Sequence, residues 1–145
     1  MAMTASESSK TTELDIESEC WRRRSFSAVI LDIEGTTTPI AFVAETLFPY
    51  VRAHLATHLE STWNSEETQH DIDALRSLSN EDAVRRVEGC VLVLPSEEEQ
   101  QRSVMNSVVA NVVWQMDMDR KSTALKQLQG HVWKRAYESH QIKGV

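Results

Sequence analysis

Asp32 and Glu34 are the residues of this chain whose types and spacing best suit chemistry. They follow the apolar run Phe26-Ser27-Ala28-Val29-Ile30-Leu31 and precede Gly35. Such a run, rich in strand formers and closed by a glycine, reads as a buried strand rather than a helix start. In a strand, side chains two apart share a face, so the two carboxylates project together from its C-terminal end while Ile33 points away. Gly35 allows a sharp turn, and Thr36, Thr37 and Thr38 supply hydroxyls and N–H groups near a helix start, which suits an anion. Carboxylates beside an anion become compatible when a hard cation such as Mg2+ lies between them, and the whole set suits phosphoryl transfer. On spacing alone, the plainer reading, that the two acids merely cap a turn, is the favoured one.

Other candidates carry less. The letters Leu-Asp-Ile-Glu also occur at Leu14-Asp15-Ile16-Glu17, but with no strand before them and no glycine after, so that copy reads as tail. His54 and His58 have the i, i+4 spacing of a helical metal pair, yet no third ligand or glutamate partner is near, and they read as solvated helix surface. Asp117-Met118-Asp119 lacks the glycine and terminal glutamate of a calcium loop and reads as a helix end. Met105, Trp114, Met116 and Trp133 lie at helical spacings and read as core. His131 could face a substrate but is not counted in the site.

The elements that must position Asp32 and Glu34 are one strand and several helices. Residues 1–24 are polar, have few apolar anchors and read as a disordered tail. Residues 25–38 carry the strand and the motif loop. Thr38-Pro39 offers an N-cap followed by proline at the first helical position, and Phe42, Leu47, Val51, Leu55 and Leu59 recur at helical spacings, with Pro49 set to kink or split the element. A second helix is expected over 65–78 with Ile72, Leu75 and Leu78 inward, and a short third after an Asn80 cap. Pro95-Ser96-Glu97-Glu98-Glu99 holds a Ser-x-x-Glu capping box ahead of the stripe Val104, Val108, Val112 and Met116. The last helix should start near Ser122 with Leu125, Leu128, Val132 and Ala136 inward, despite Gly130. Cys90-Val91-Leu92-Val93-Leu94 reads either as a second strand or as an apolar loop packed between helices. A lone strand cannot satisfy its own backbone groups, so the run 26–31 requires sheet partners that this sequence does not offer convincingly.

The bulk numbers narrow the class. A chain of 145 residues, 41% hydrophobic and 26% charged, bounds one globular domain. A net charge of −7 opposes non-specific attraction to nucleic acid or anionic membranes. Cys20 and Cys90 show no CxxC spacing, which suggests neither a disulfide framework nor a cysteine zinc site and fits a reducing compartment. There is no apolar run long enough for a membrane span. Arg22-Arg23-Arg24 is short for a nuclear address, so the cytoplasm is the expected location, with the nucleus a second possibility.

The stretch Val29-Ile30-Leu31-Asp32-Ile33-Glu34-Gly35-Thr36-Thr37-Thr38-Pro39-Ile40 resembles the first motif of the haloacid dehalogenase superfamily, a hydrophobic strand then D-x-[DE]-G-T. Its form DIEGTTTPI is similar to that of one family within it, the enolase-phosphatases E1 or acireductone synthases of methionine salvage. The similarity continues through Phe42-Val43 and Leu47-Phe48-Pro49-Tyr50, and returns over 111–116 and 119–131. The resemblance implies an α/β Rossmannoid fold with an inserted helical cap, of which this chain holds mainly the first core strand and the cap and so should look predominantly α. It places the cap at 39–129 and a return helix toward the rest of the core at 130–145.

The same resemblance implies a Mg2+-dependent reaction in which 2,3-diketo-5-methylthiopentyl-1-phosphate is enolised and dephosphorylated to the acireductone. Asp32 would be the nucleophile and Glu34 the general acid and base. Both would lie at the metal, and Gly35, Thr36 and Thr37 would hold phosphate. The superfamily's later motifs, a Ser or Thr, a lysine and a closing acid, match nothing before Val145. The expectation is therefore a truncated chain, inactive alone, from a protein that is monomeric at full length. The fragment's only expected partner is a small phosphate ester, and its unpaired strand edge could drive self-association. The rival reading is a non-catalytic helical interaction module.

Overall fold

The computed structural model describes residues 27–32, 35–96 and 100–144. The tail with the first Leu-Asp-Ile-Glu, Cys20 and the arginine triplet lies outside the described residues, as do Ile33, Glu34, Glu97, Glu98, Glu99 and Val145. The chain divides into two units, Met1–Ile33 and Glu34–Val145.

In the first unit, residues 28–32 adopt no regular secondary structure, and Val29, Ile30 and Leu31 expose 74%, 97% and 65% of their surface. The expected strand is not formed. The reason is the one its backbone imposes: a strand exists through ladder hydrogen bonds to a neighbour, and none is present among the described residues.

The second unit is helical, as expected. α1 is a single turn, Ile40–Phe42, running into a π turn, Val43–Leu47, in which the Phe48 N–H bonds Val43 O. α2, Phe48–Thr62, follows at once with Pro49 in its first turn. Pro49 has no N–H to donate four residues back and its ring crowds that carbonyl, so the wider π turn forms just ahead of it. The expected kink is thus a change of helical pitch.

α3, Glu66–Val84, begins at Ser65, whose hydroxyl accepts the Thr68 N–H at 3.2 Å. It continues unbroken through Asn80, so the separate third helix does not exist. Propensity at Asn80 yields to the burial of Ser79 and Asp82 on the same inner face. α4, Gln101–Asp117, is capped at Gln100 rather than Ser96, and the Ser96 hydroxyl instead accepts Arg76 Nη2 at 2.7 Å. α5, Thr123–Glu138, is capped by Ser122, which accepts the Leu125 N–H at 3.2 Å.

The core follows the helical repeat. Val51, Leu55 and Leu59 of α2, Ile72 and Leu75 of α3, Val104, Val108 and Val112 of α4, and Leu125, Leu128 and Val132 of α5 are all buried. α2 and α3 each pack on both α4 and α5, and the core lies among the four helices. The segment 90–94 is a loop, not a strand, with Val93 buried. Side chains of α3 and α4 replace the ladder it lacks: Val93 N–H donates to Ser79 Oγ at 3.2 Å, Leu94 N–H to Ser107 Oγ at 3.0 Å, and Leu94 O accepts Arg76 Nε at 3.0 Å.

α4 ends where the alternating acids suggested, and Asp119 takes a left-handed conformation at φ 47° while the Arg120 N–H returns to Gln115 O at 2.9 Å. That turn aims Arg120 across to α3, where it meets Asp82 through two hydrogen bonds of 2.5 and 2.9 Å.

Gly130 lies inside α5 with no atom within 4 Å of where a Cβ would stand. Gly130→Ala is expected to stabilise the unit by about 1 kcal/mol by restricting the unfolded chain and favouring the helix. Urea unfolding should show this as a higher midpoint with an unchanged slope.

Candidate active site

The motif loop is divided between the two units. Asp32, in the first, is exposed, and no described residue bonds or ion-pairs with it. Glu34 lies outside the described residues. In the second unit Gly35 has φ +79°, a conformation that L side chains rarely adopt, and its N–H donates to Thr38 O at 2.7 Å, folding the chain back over Thr36 and Thr37. A Cβ on Gly35 would stand 3.1 Å from Ile40 Cγ1, a tight contact that the Ile40 side chain would have to yield to. Thr36 and Thr37 are exposed.

Thr38 does not cap the following helix. Pro39 occupies the N-cap position at φ −57° and ψ 135°, with no side-chain cap bond. The residue before a proline is driven out of helical geometry, which moves the helix start one residue on, to Ile40.

The two histidines of α2 have different surroundings. His54 is exposed and stacks on Tyr50 with centroids 4.0 Å apart. His58 is buried, only 7% exposed, which corrects its reading as solvated surface. It lies seven residues after Val51 and three after Leu55, which puts it on the helix face of those core residues.

His131 is likewise held by helices rather than offered to a ligand. Its Nδ1 lies 2.6 Å from Asp71 Oδ2 and its Nε2 3.4 Å from Glu67 Oε1, both on α3. Asp71 is 1% exposed and also accepts Gln127 Nε2 at 3.1 Å. These groups reach one another across 60 residues of sequence, a distance that no local pattern reveals. Among the described residues, no group of three or more His, Cys, Asp or Glu side chains could hold a metal ion. None of the described helices is long and apolar enough to cross a membrane.

Burial lowers the His58 pKa from its ordinary 6.5, and Arg135 on α5 lowers it further. Asp71 and Glu67 on α3 pull upward, and His131 on α5 pushes down. A base whose folded pKa is depressed resists a proton that the unfolded chain accepts. The resulting stability is present above about pH 6.5 and is lost as pH falls from there toward the folded value. His58→Gln should remove that part of the slope. Urea midpoints at about pH 7.5 and about pH 5.5 should therefore differ more for the parent chain than for the variant.

Known proteins resemble this chain over most of its length. It is 52% identical over 123 residues to the enolase-phosphatase E1 of Branchiostoma floridae, an alignment spanning 81% of this chain and 40% of that protein. It is 50% identical over 119 residues to the enolase-phosphatase E1 of Naegleria gruberi, spanning 82% and 45%. A probable bifunctional methylthioribulose-1-phosphate dehydratase/enolase-phosphatase E1 of Sorghum bicolor is 46% identical over 131 residues, spanning 90% of this chain and 25% of the plant protein. The chain thus spans less than half the length of these relatives. No family model matches it.

Proposed function

Because the chain belongs, over the 81% of it that aligns, to the enolase-phosphatase E1 family, we propose that its motif loop serves a Mg2+-dependent enolase-phosphatase acting on 2,3-diketo-5-methylthiopentyl-1-phosphate. The observation that carries this reading is identity of 50% and above to separately named enolase-phosphatases from an animal and an amoeboflagellate. The sequence Asp32-Ile33-Glu34-Gly35-Thr36-Thr37 supports it with the right groups in the right order.

The donor chemistry fits the ion. Mg2+ is commonly held by one or two carboxylates, with substrate oxygens and water completing its shell, and the Asp32 carboxylate is exposed and free of ion pairs among the described residues. Asp32 and Glu34 would hold Mg2+, which when bound neutralises charge on the transferring phosphoryl group.

The remaining chemistry belongs to the chain. Asp32 attacks phosphorus as the enediol oxygen leaves, forming an aspartyl-phosphate, and water then attacks phosphorus in that acyl phosphate to release inorganic phosphate and return the carboxylate. Glu34 gives its proton to the leaving oxygen and takes one from the attacking water. The N–H groups and hydroxyls of Thr36 and Thr37, beside the turn that Gly35 permits, would bind the phosphate oxygens. The helical unit would act as the cap that excludes water.

Phosphate release from the diketo ester, followed with and without Mg2+, tests the proposal. A protein carrying the whole length of the relatives should turn over. The 145-residue chain alone should not, since it lacks the lysine, hydroxyl and closing acid that the family's site also uses. Turnover without Mg2+, or none at full length, would overturn the reading. A second reading, a non-catalytic interaction module, rests on the exposure of Val29, Ile30 and Leu31. It predicts self-association of the chain in sedimentation, and a monomer would remove its basis.

A further inference from the structure

A cavity of about 680 Å³ opens in the helical unit, between the π turn, the end of α4 and the first turns of α5. That is the size of a site for a small organic molecule. Leu47, Phe48, Met116 and Trp133 give it apolar walls. Trp133 is fixed in place, because its indole N–H donates to Leu47 O at 2.9 Å and its ring meets Phe48 at a tilt, with centroids 5.9 Å apart. The wall is therefore formed before any ligand arrives.

Gln129 lines this cavity and is only 4% exposed. Its side-chain amide has no hydrogen-bond partner among the described residues. Among the described residues every fully enclosed side-chain nitrogen or oxygen has one, so the Gln129 amide is not fully enclosed, and it belongs to a residue that lines the cavity. A ligand that displaces the water such an amide can reach must offer it a hydrogen bond in return. One helical turn before Gln129, on the same side of α5, is Lys126, which also lines the cavity.

The charges at the rim differ in their freedom. Arg120 is committed to Asp82 and Arg52 to Asp117. Lys121 stands 3.9 Å from Asp119, with both side chains mostly in solvent. Lys126 has no ion pair among the described residues. Lys126 therefore stands uncommitted, with Lys121 only loosely held, beside the positive end of the α5 dipole.

We propose that the cavity binds a small organic monoanion, a 2-oxo carboxylate with an apolar arm. The arm lies against Met116 and Trp133, the Gln129 amide donates to the oxo oxygen, and Lys126 meets the carboxylate. Asp119 also lines the cavity, and its carboxylate opposes the second negative charge that a phosphate ester would bring. The proposal does not depend on the reaction proposed for the motif loop.

The test uses the 145-residue chain with 4-methyl-2-oxopentanoate as probe, followed by tryptophan fluorescence and by the side-chain amide NMR signals of Gln129. Saturable binding that shifts the Gln129 signals is expected. Loss of about tenfold in affinity should follow from using 4-methylpentanoate, which lacks the oxo group, from using the neutral 4-methylpentan-2-one, or from Gln129→Leu or Lys126→Met. The first two comparisons need no variant, so the proposal stays testable if Gln129→Leu fails to fold. Non-saturable binding, equal affinity for the probes with and without the oxo group, or tighter binding of isopentyl phosphate would overturn it.

Discussion

Replacing Asp82 with alanine is expected to destabilise the helical unit by about 3 to 5 kcal/mol. Asp82 is 3% exposed and meets Arg120 in a two-pronged pair, and the Arg120 guanidinium also lies 4.9 Å from the centre of the Trp114 ring. Removing the acid leaves a largely buried cation with only an aromatic face for company. The cost is that of the orphaned charge rather than the net worth of the pair. A unit of this size has about 5 to 15 kcal/mol in total, so a large share would vanish.

Two comparisons separate this cause from a general loss of packing. Asp73→Ala removes the partner of Arg76 at the exposed end of α3's surface, where Asp73 keeps 68% of its side chain in solvent, and should cost less than about 1 kcal/mol. Asp82→Ala with Arg120→Met should recover much of the single-variant loss, because no charge is then left unpaired. Urea unfolding measures all three. Equal losses at Asp73 and Asp82 would sink the argument.

The second large effect concerns Asp32. In a protein carrying the whole length of the relatives, Asp32→Asn should lower turnover of the diketo phosphate on the order of 10⁴-fold or more, since an amide neither attacks phosphorus nor carries the charge a metal ion prefers. Glu34→Gln should cost about 10²- to 10⁴-fold. The two losses differ in kind. With p-nitrophenyl phosphate, whose leaving group needs no proton, Glu34→Gln should recover part of its loss while Asp32→Asn recovers none. If both variants respond alike to that change, the division of labour between nucleophile and acid is wrong.

Much of this unit was legible in the sequence because helices write their buried face into the chain every three to four residues. Val104, Val108 and Val112, and Leu125, Leu128 and Val132, are buried where that spacing put them. Ser65 and Ser122 cap the helices they precede. What escaped was set by contacts remote in sequence. Asp82 and Arg120 are 38 residues apart and Asp71 and His131 are 60 apart, and neither pair leaves a local trace. Ser96 had the composition of a cap, but the Arg76 side chain claims its hydroxyl. The strand at 26–31 was legible as a strand only on the condition of a sheet to join. The positions of Asp32, Gly35, Thr36 and Thr37 in a motif were plain from their order, whereas the Gln129 cavity exists only once three elements have folded together.

The π turn at Val43–Leu47 holds one more residue than an α-helical turn would need. Each helical residue rotates the chain by about 100° around the axis, so that extra residue fixes how Ile40 and Phe42 are turned relative to α2. Side-chain substitutions within the turn should be tolerated, while deletion of a single residue would swing everything before it by a quarter turn or more. Length here, more than residue identity, sets the direction in which the chain enters α2.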